Sequence, residues 1–159
     1  MQDAISYLGI DPGKMGGAAV ITLKSRSDSK AIVSAAFKFK DKTDHEIAEF
    51  FSEVNDQYNI QKCYMEKVAS SPQMGVVSAF TFGDGNGFLR GQITAYKIPH
   101  EFITPATWQR ELKCLTKGKK SVSRAKAQQL FADQLKITDG NADAILIAYF
   151  CSRKERGLC

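Results

Sequence analysis

Two apolar, strand-like runs in this sequence each stop on an acid. Ile5-Ser6-Tyr7-Leu8-Gly9-Ile10 ends on Asp11 and passes into a Pro12-Gly13 turn, while Cys63-Tyr64-Met65 ends on Glu66. Desolvating an unpaired charge costs several kcal/mol. An acid at such a place therefore either hangs over the sheet edge as part of a plain turn or has a donor or cation beside it. Neighbouring strands lie about 4.8 Å apart. Were the two runs paired, their terminal carboxylates would repel unless a proton or a metal ion sat between them.

The pattern along the chain supplies a sheet for these runs. Strands are expected at residues 5–10, 17–24 and 31–39, joined by short links as an antiparallel meander. Ile47, Phe50, Phe51 and Val54 recur at spacings of three and four, which predicts a helix over 44–58 capped by Asp44 or Thr43. A fourth strand at 60–66 and a fifth at 98–103 follow. Thr104 and Pro105 open a short helix. Helices are expected over 121–134, with Ala125, Leu130 and Phe131 inward, and over 139–154. Residues 78–95 read either as a helix with Gly83, Gly87 and Gly91 along one face or as a loop around GDGNG with a shorter helix after it. The order βββαβαβααα implies one α+β domain over 1–159, with helices layered on a mixed sheet.

A third acidic element sits in TDGNADAILIAYF. On a helix beginning at 139, Asp139 and Asp143 share one face near its N-terminus, where negative charge is favoured in any case. Together with Asp11 and Glu66 they make an all-oxygen donor set of the kind that suits Mg²⁺ or Mn²⁺.

Composition narrows the partners. The net charge is +5, and from Leu112 to Ala132 there are six basic residues and no acid: Lys113, Lys117, Lys119, Lys120, Arg124 and Lys126. The run is either a solvated helix face or a patch that contacts nucleic-acid phosphates. No run of about 18 apolar residues suggests a membrane span, and the N-terminus lacks the features of a signal peptide. Cys63, Cys114, Cys151 and Cys159 show no zinc spacing and are expected to be reduced thiols of a cytoplasmic protein, in a bacterial cell or in a virus-infected host.

The order of these motifs resembles the ribonuclease-H-like nuclease fold. LGIDPGKMGGAAVI is similar to the first motif of RuvC-type Holliday junction resolvases, and CYMEKV is similar to their second. FTFGDGNGFLRGQITA, PATWQREL, KKSVSRAKAQQLF and DGNADAILIAYF resemble the phage-type branch. The resemblance spans roughly residues 5–155. It implies a mixed five-stranded sheet with the first three strands antiparallel. It also implies Asp11, Glu66, Asp139 and Asp143 as ligands of two Mg²⁺ ions per site, which Mn²⁺ can replace, and a catalytic lysine. Lys120 fits that lysine best, with Lys119 next. In the cellular branch the last two acids are three apart. Here Gly140 holds that place and Asp139 lies one residue earlier, with Asn141 as the alternative ligand.

The implied activity is a metal-dependent endodeoxyribonuclease that resolves four-way DNA junctions by paired nicks leaving 5′ phosphates. A two-fold junction calls for a homodimer, with residues 74–95 as the contact. Phe80, Phe82 and Phe88 would fill that contact, touch unstacked bases or pack in the core. Trp108 and His100 are expected to pack rather than to catalyse. Rival readings are a nuclease of the same fold acting on forks, flaps or RNA–DNA hybrids, and a non-catalytic DNA-binding module. An actin-like ATPase would require two such lobes.

Overall fold

The computed structural model describes residues 4–159. Five strands form one sheet: β1 (Ile5–Asp11), β2 (Gly17–Leu23), β3 (Ile32–Lys38), β4 (Ile60–Glu66) and β5 (His100–Ile103). Their spatial order is β3-β2-β1-β4-β5. β1 pairs antiparallel with β2, and β2 antiparallel with β3; β4 runs parallel to β1, and β5 parallel to β4. The expected antiparallel meander and mixed five-stranded sheet are both present.

Alternation along the strands divides the core in two. Leu8, Ile10, Cys63 and Met65 point to one face, where they pack with Ile47, Phe50, Phe51 and Val54 of α1 (Asp44–Gln57) and with Leu89 and Ile93 of α2 (Val76–Ala95). Thr43 and Glu46 close a capping box at the start of α1. Tyr7 and Tyr64 point to the opposite face. That face is covered by α3 (Pro105–Glu111), α4 (Lys120–Phe131) and α5 (Ala142–Glu155). Ten residues of α5 are buried, among them the run from Ala142 to Ala148. A helix apolar on nearly every side is a central core element, and α5 lies directly over β1 and β2.

Several boundaries differ from the sequence expectation. The GDGNG stretch is helical, inside a 20-residue α2 of which only Leu89 and Ile93 are buried. β5 begins at His100 rather than 98. α4 ends at Phe131, and it turns Ser123, Ala127 and Phe131 inward while Ala125 is exposed. The last helix starts at Ala142, not 139, because Asp139 and Gly140 form a turn ahead of it. Among the described residues all four cysteines are free thiols, three of them buried. No helix among them is long and apolar enough to cross a membrane.

Candidate active site

The sheet brings Asp11 and Glu66 together by register and by parity. Ile10 pairs with Met65 across the parallel β1–β4 ladder, so the next residue on each strand is the acid. Side chains alternate across a strand. Asp11 therefore shares the side of Tyr7 and Gly9, and Glu66 the side of Tyr64, which is the side covered by α5. Gly13 turns the chain out of β1 with φ of +111°, a left-handed region that glycine enters without a Cβ penalty.

Asp143 arrives from the third direction. It lies in the first turn of α5, where the helix dipole favours its charge. Lys120, the first residue of α4, places its Nζ 3.7 Å from Asp143 Oδ2 and 4.0 Å from Asp11 Oδ2. That position is locally unfavourable. Lysines occupy both the cap and the first position of α4, no side chain caps it, and its first turn holds no acid. A cation at a helix N-terminus opposes the dipole; the two carboxylates facing Lys120 offset that cost.

The electrostatics show an excess of negative charge. Asp11 is 8% exposed. Burial first, then the charges of Glu66 and Asp143, push its carboxyl up to about 7 from an ordinary 3.8, against the smaller opposing effect of Lys120. Burial also raises Glu66, with the Asp143 charge adding to it, while the Trp108 hydrogen bond and Lys120 pull it down. Trp108 is fully buried, and its indole Nε1 donates to Glu66 Oε2 at 2.8 Å. The sequence expectation gave this side chain only a packing role. The signal available was that a buried indole N–H needs an acceptor.

Two expected ligands are not brought to the cluster. Asp139 precedes the helix, its side chain is 59% exposed, and Oδ1 accepts from Arg124 Nη1 at 3.1 Å. It therefore does not share a helical face with Asp143. Asn141 is buried, but both ends of its amide are occupied: Oδ1 accepts from the Thr138 backbone N–H and Nδ2 donates to the Lys136 carbonyl. It closes the turn that starts α5. Of the basic run, Lys113, Lys117, Lys119 and Lys120 are exposed, whereas Arg124 and Lys126 are half-buried and Arg124 is engaged by Asp139. A separate open groove of about 640 Å³ lies on the α1–α2 side, lined by Gly13, Lys14, Phe39, Lys42, Phe82 and Phe88, and none of the three carboxylates enters it.

Among the described residues no three acidic, histidine or cysteine side chains are grouped closely enough to hold a metal ion as they stand. What the fold provides is an open arrangement of Asp11, Glu66 and Asp143 with one ammonium between two of them. All donors are oxygens, and three carboxylates face one lysine. That donor set and that charge imbalance fit a hard divalent cation.

Sheet order, helix placement and strand-end acids together define a ribonuclease-H-like α+β fold. Solved structures of Holliday junction resolvases share this fold over nearly the whole chain. RuvC of T. thermophilus in complex with a Holliday junction substrate matches at a TM-score of 0.69 and 16% identity, covering 97% of this chain and 98% of that one. The yeast mitochondrial Holliday junction resolvase Ydc2 matches at 0.56 and 16%, covering 96% and 79%. Fowlpox virus resolvase, in complex with Holliday junction DNA, matches at 0.50 and 11%, covering 93% and 99%. No protein-family profile matches the sequence, and no curated protein sequence does.

Proposed function

We propose that this chain is a divalent-metal-dependent endonuclease that resolves four-way DNA junctions, acting as a homodimer that makes paired nicks. The observation that carries the reading is the convergence of Asp11, Glu66 and Asp143 around Lys120 on a RuvC-type fold. Asp11, Glu66 and Asp143 would hold Mg²⁺ or Mn²⁺. When bound, such an ion supplies a Lewis acid for a phosphoryl oxygen and an activated water. The chain's own residues supply the rest. β1 and β4 fix two carboxylates on a rigid sheet, and the N-terminus of α5 holds the third. Lys120 places a positive charge beside them where it can neutralise the phosphate as charge builds in the transition state.

The test is cleavage of a synthetic four-way junction with and without Mg²⁺, beside a fork, a flap, an RNA–DNA hybrid and a plain duplex. Mg²⁺-dependent cutting of the junction in preference to the others is expected. Faster cutting of the hybrid would assign the fold a different substrate.

Exposed Lys113, Lys117 and Lys119 lie on one segment leading to Lys120 and are offered as backbone contacts. Each phosphate neutralised adds about 0.9 to the slope of log K against log salt. Lys117→Ala together with Lys119→Ala is expected to flatten that slope by about 2. A slope unchanged in a fluorescence-anisotropy titration would remove these lysines from the interface.

The dimer contact is assigned to the outer face of α2. Val76, Val77 and Phe80 are 87%, 80% and 76% exposed. A Cβ added at Gly83, Gly87 or Gly91 would meet nothing within 4 Å, so that ridge is free to receive another backbone. Phe80→Glu is expected to shift the protein from dimer to monomer in sedimentation velocity and to convert paired nicks into uncoordinated single ones. A wild-type chain that stays monomeric at micromolar concentration would contradict the assignment.

A further inference from the structure

The single tryptophan of this chain spends its only polar atom on the acid cluster. Glu66 pairs with Ile103 across the parallel β4–β5 ladder, and the Lys67 backbone N–H bonds to the Ile103 carbonyl at 2.6 Å. The chain leaves β5 beside Glu66. Thr104 and Pro105 then start α3, which carries Trp108 back over the end of β4. The ring is wholly buried among Ile103, Leu112 and the α5 core, so its position is fixed by packing. Its Nε1 donates to Glu66 Oε2 at 2.8 Å.

Glu66 needs such a restraint more than its partners do. It is the longest of the three acids, and it is half-exposed where Asp11 and Asp143 are buried. A free glutamate side chain samples several rotamers, and a ligand that must be ordered on binding costs affinity. One oxygen tied to a rigid indole restricts the rotamers open to the whole carboxylate. A core position alone could be filled by any large apolar side chain; the donor is what distinguishes tryptophan.

We propose that Trp108 is a positioning residue that holds the Glu66 carboxylate in a metal-binding orientation through its indole N–H. The inference rests on the reading of Asp11, Glu66 and Asp143 as a divalent-cation site. Outer-shell partners of metal ligands change affinity by about 10–100-fold. Because the sequence holds one tryptophan, biosynthetic replacement by β-(3-benzothienyl)alanine exchanges sulfur for that one N–H and leaves the bicyclic shape in place. Replacement by 5-fluorotryptophan retains the N–H and serves as the conservative rescue.

The full-length protein in each form is titrated with Mn²⁺ by electron paramagnetic resonance, with folding checked by circular dichroism. The unsubstituted protein is also followed by tryptophan emission. Affinity is expected to fall about 10–100-fold in the benzothienyl form and to stay near the original in the fluorotryptophan form. Bound Mn²⁺ is expected to quench the emission of Trp108 saturably. Equal Mn²⁺ affinity in the benzothienyl form, or an equal loss in the fluorotryptophan form, overturns the role of the N–H while leaving the cation site intact. Absence of Mn²⁺ binding to the unsubstituted protein, or binding unaffected by Asp11→Asn, overturns the site reading and this inference with it.

Discussion

Asp11→Asn is expected to abolish cleavage and, in metal-free protein at pH 8, to make the fold more stable. The two effects share one cause. Asp11 is buried at the end of β1, faces Glu66 and Asp143, and among the described residues has only Lys120, at 4.0 Å, to compensate. Its carboxyl is pushed up to about 7 by burial first and the neighbouring acids second. Below about pH 4 the folded and unfolded chains both hold this proton. As pH rises, the unfolded chain releases it first. The stability that the raised carboxyl contributes is therefore lost between about pH 4 and 7 and stays lost above. A displacement of that size corresponds to roughly 4 kcal/mol. Asparagine removes the charge without removing the shape. The thermal-melting gap between Asp11→Asn and wild type should be near zero at pH 4 and widest by pH 8. Added Mg²⁺ should raise the melting temperature of the wild type and not of the variant. Under the proposed function cleavage should fall by on the order of 10³-fold, since several kcal/mol of transition-state stabilisation would depend on this carboxylate. A variant that melts at or below the wild type at pH 8 would show that Asp11 is satisfied by contacts the fold already makes. Retained cutting would remove Asp11 from the reaction.

The cost of burying an acid also explains which parts of the candidate site were legible in the sequence. An acid closing an apolar strand breaks the local pattern, and such breaks mark functional positions; Asp11 and Glu66 stood out for this reason. Asp143 was legible as an acid opening an apolar helix. Asp139 was misplaced because the helix was started too early. The Asn141 amide bonds to the Thr138 N–H and the Lys136 carbonyl, making a turn of residues that spacing alone extends into helix. In α4 the small residues of SVSRAKA give a weak stripe, and Ala127 rather than Ala125 turned out to face the core. The Trp108–Glu66 bond joins positions 42 residues apart. It depends on β5 lying beside β4, a tertiary fact that no local pattern encodes. The sequence left α2 open between helix and loop because its glycines disfavour a helix. The structure shows them on a helix whose first half holds no buried residue.

Gly9→Ala is expected to cost about 3 kcal/mol or more of stability, well beyond the typical surface substitution. Gly9 lies mid-β1 on the face covered by α5. A Cβ there would overlap the Ala144 carbonyl and the Ala148 amide and would stand 2.8 Å from Ala148 Cα. All of these are backbone atoms of a buried helix, so no side chain can rotate away. Relief requires α5 to lift off the sheet. Small domains have a total stability of about 5–15 kcal/mol, so one methyl group here consumes a large share of it. The same contact sets the site. Asp143 rides on α5 one residue before Ala144, and Asp11 ends the strand two residues after Gly9. Lifting the helix therefore moves one carboxylate away from the other two. Folded Gly9→Ala protein should bind Mn²⁺ more weakly as well as unfold at lower denaturant. Ala125→Gly, at an exposed position of α4, should lose about 1 kcal/mol and keep Mn²⁺ affinity. Gly9→Ala with wild-type denaturation midpoint and wild-type Mn²⁺ affinity would mean that α5 does not rest directly on β1. In that case the convergence of Asp143 with the strand-end acids would lose its structural basis.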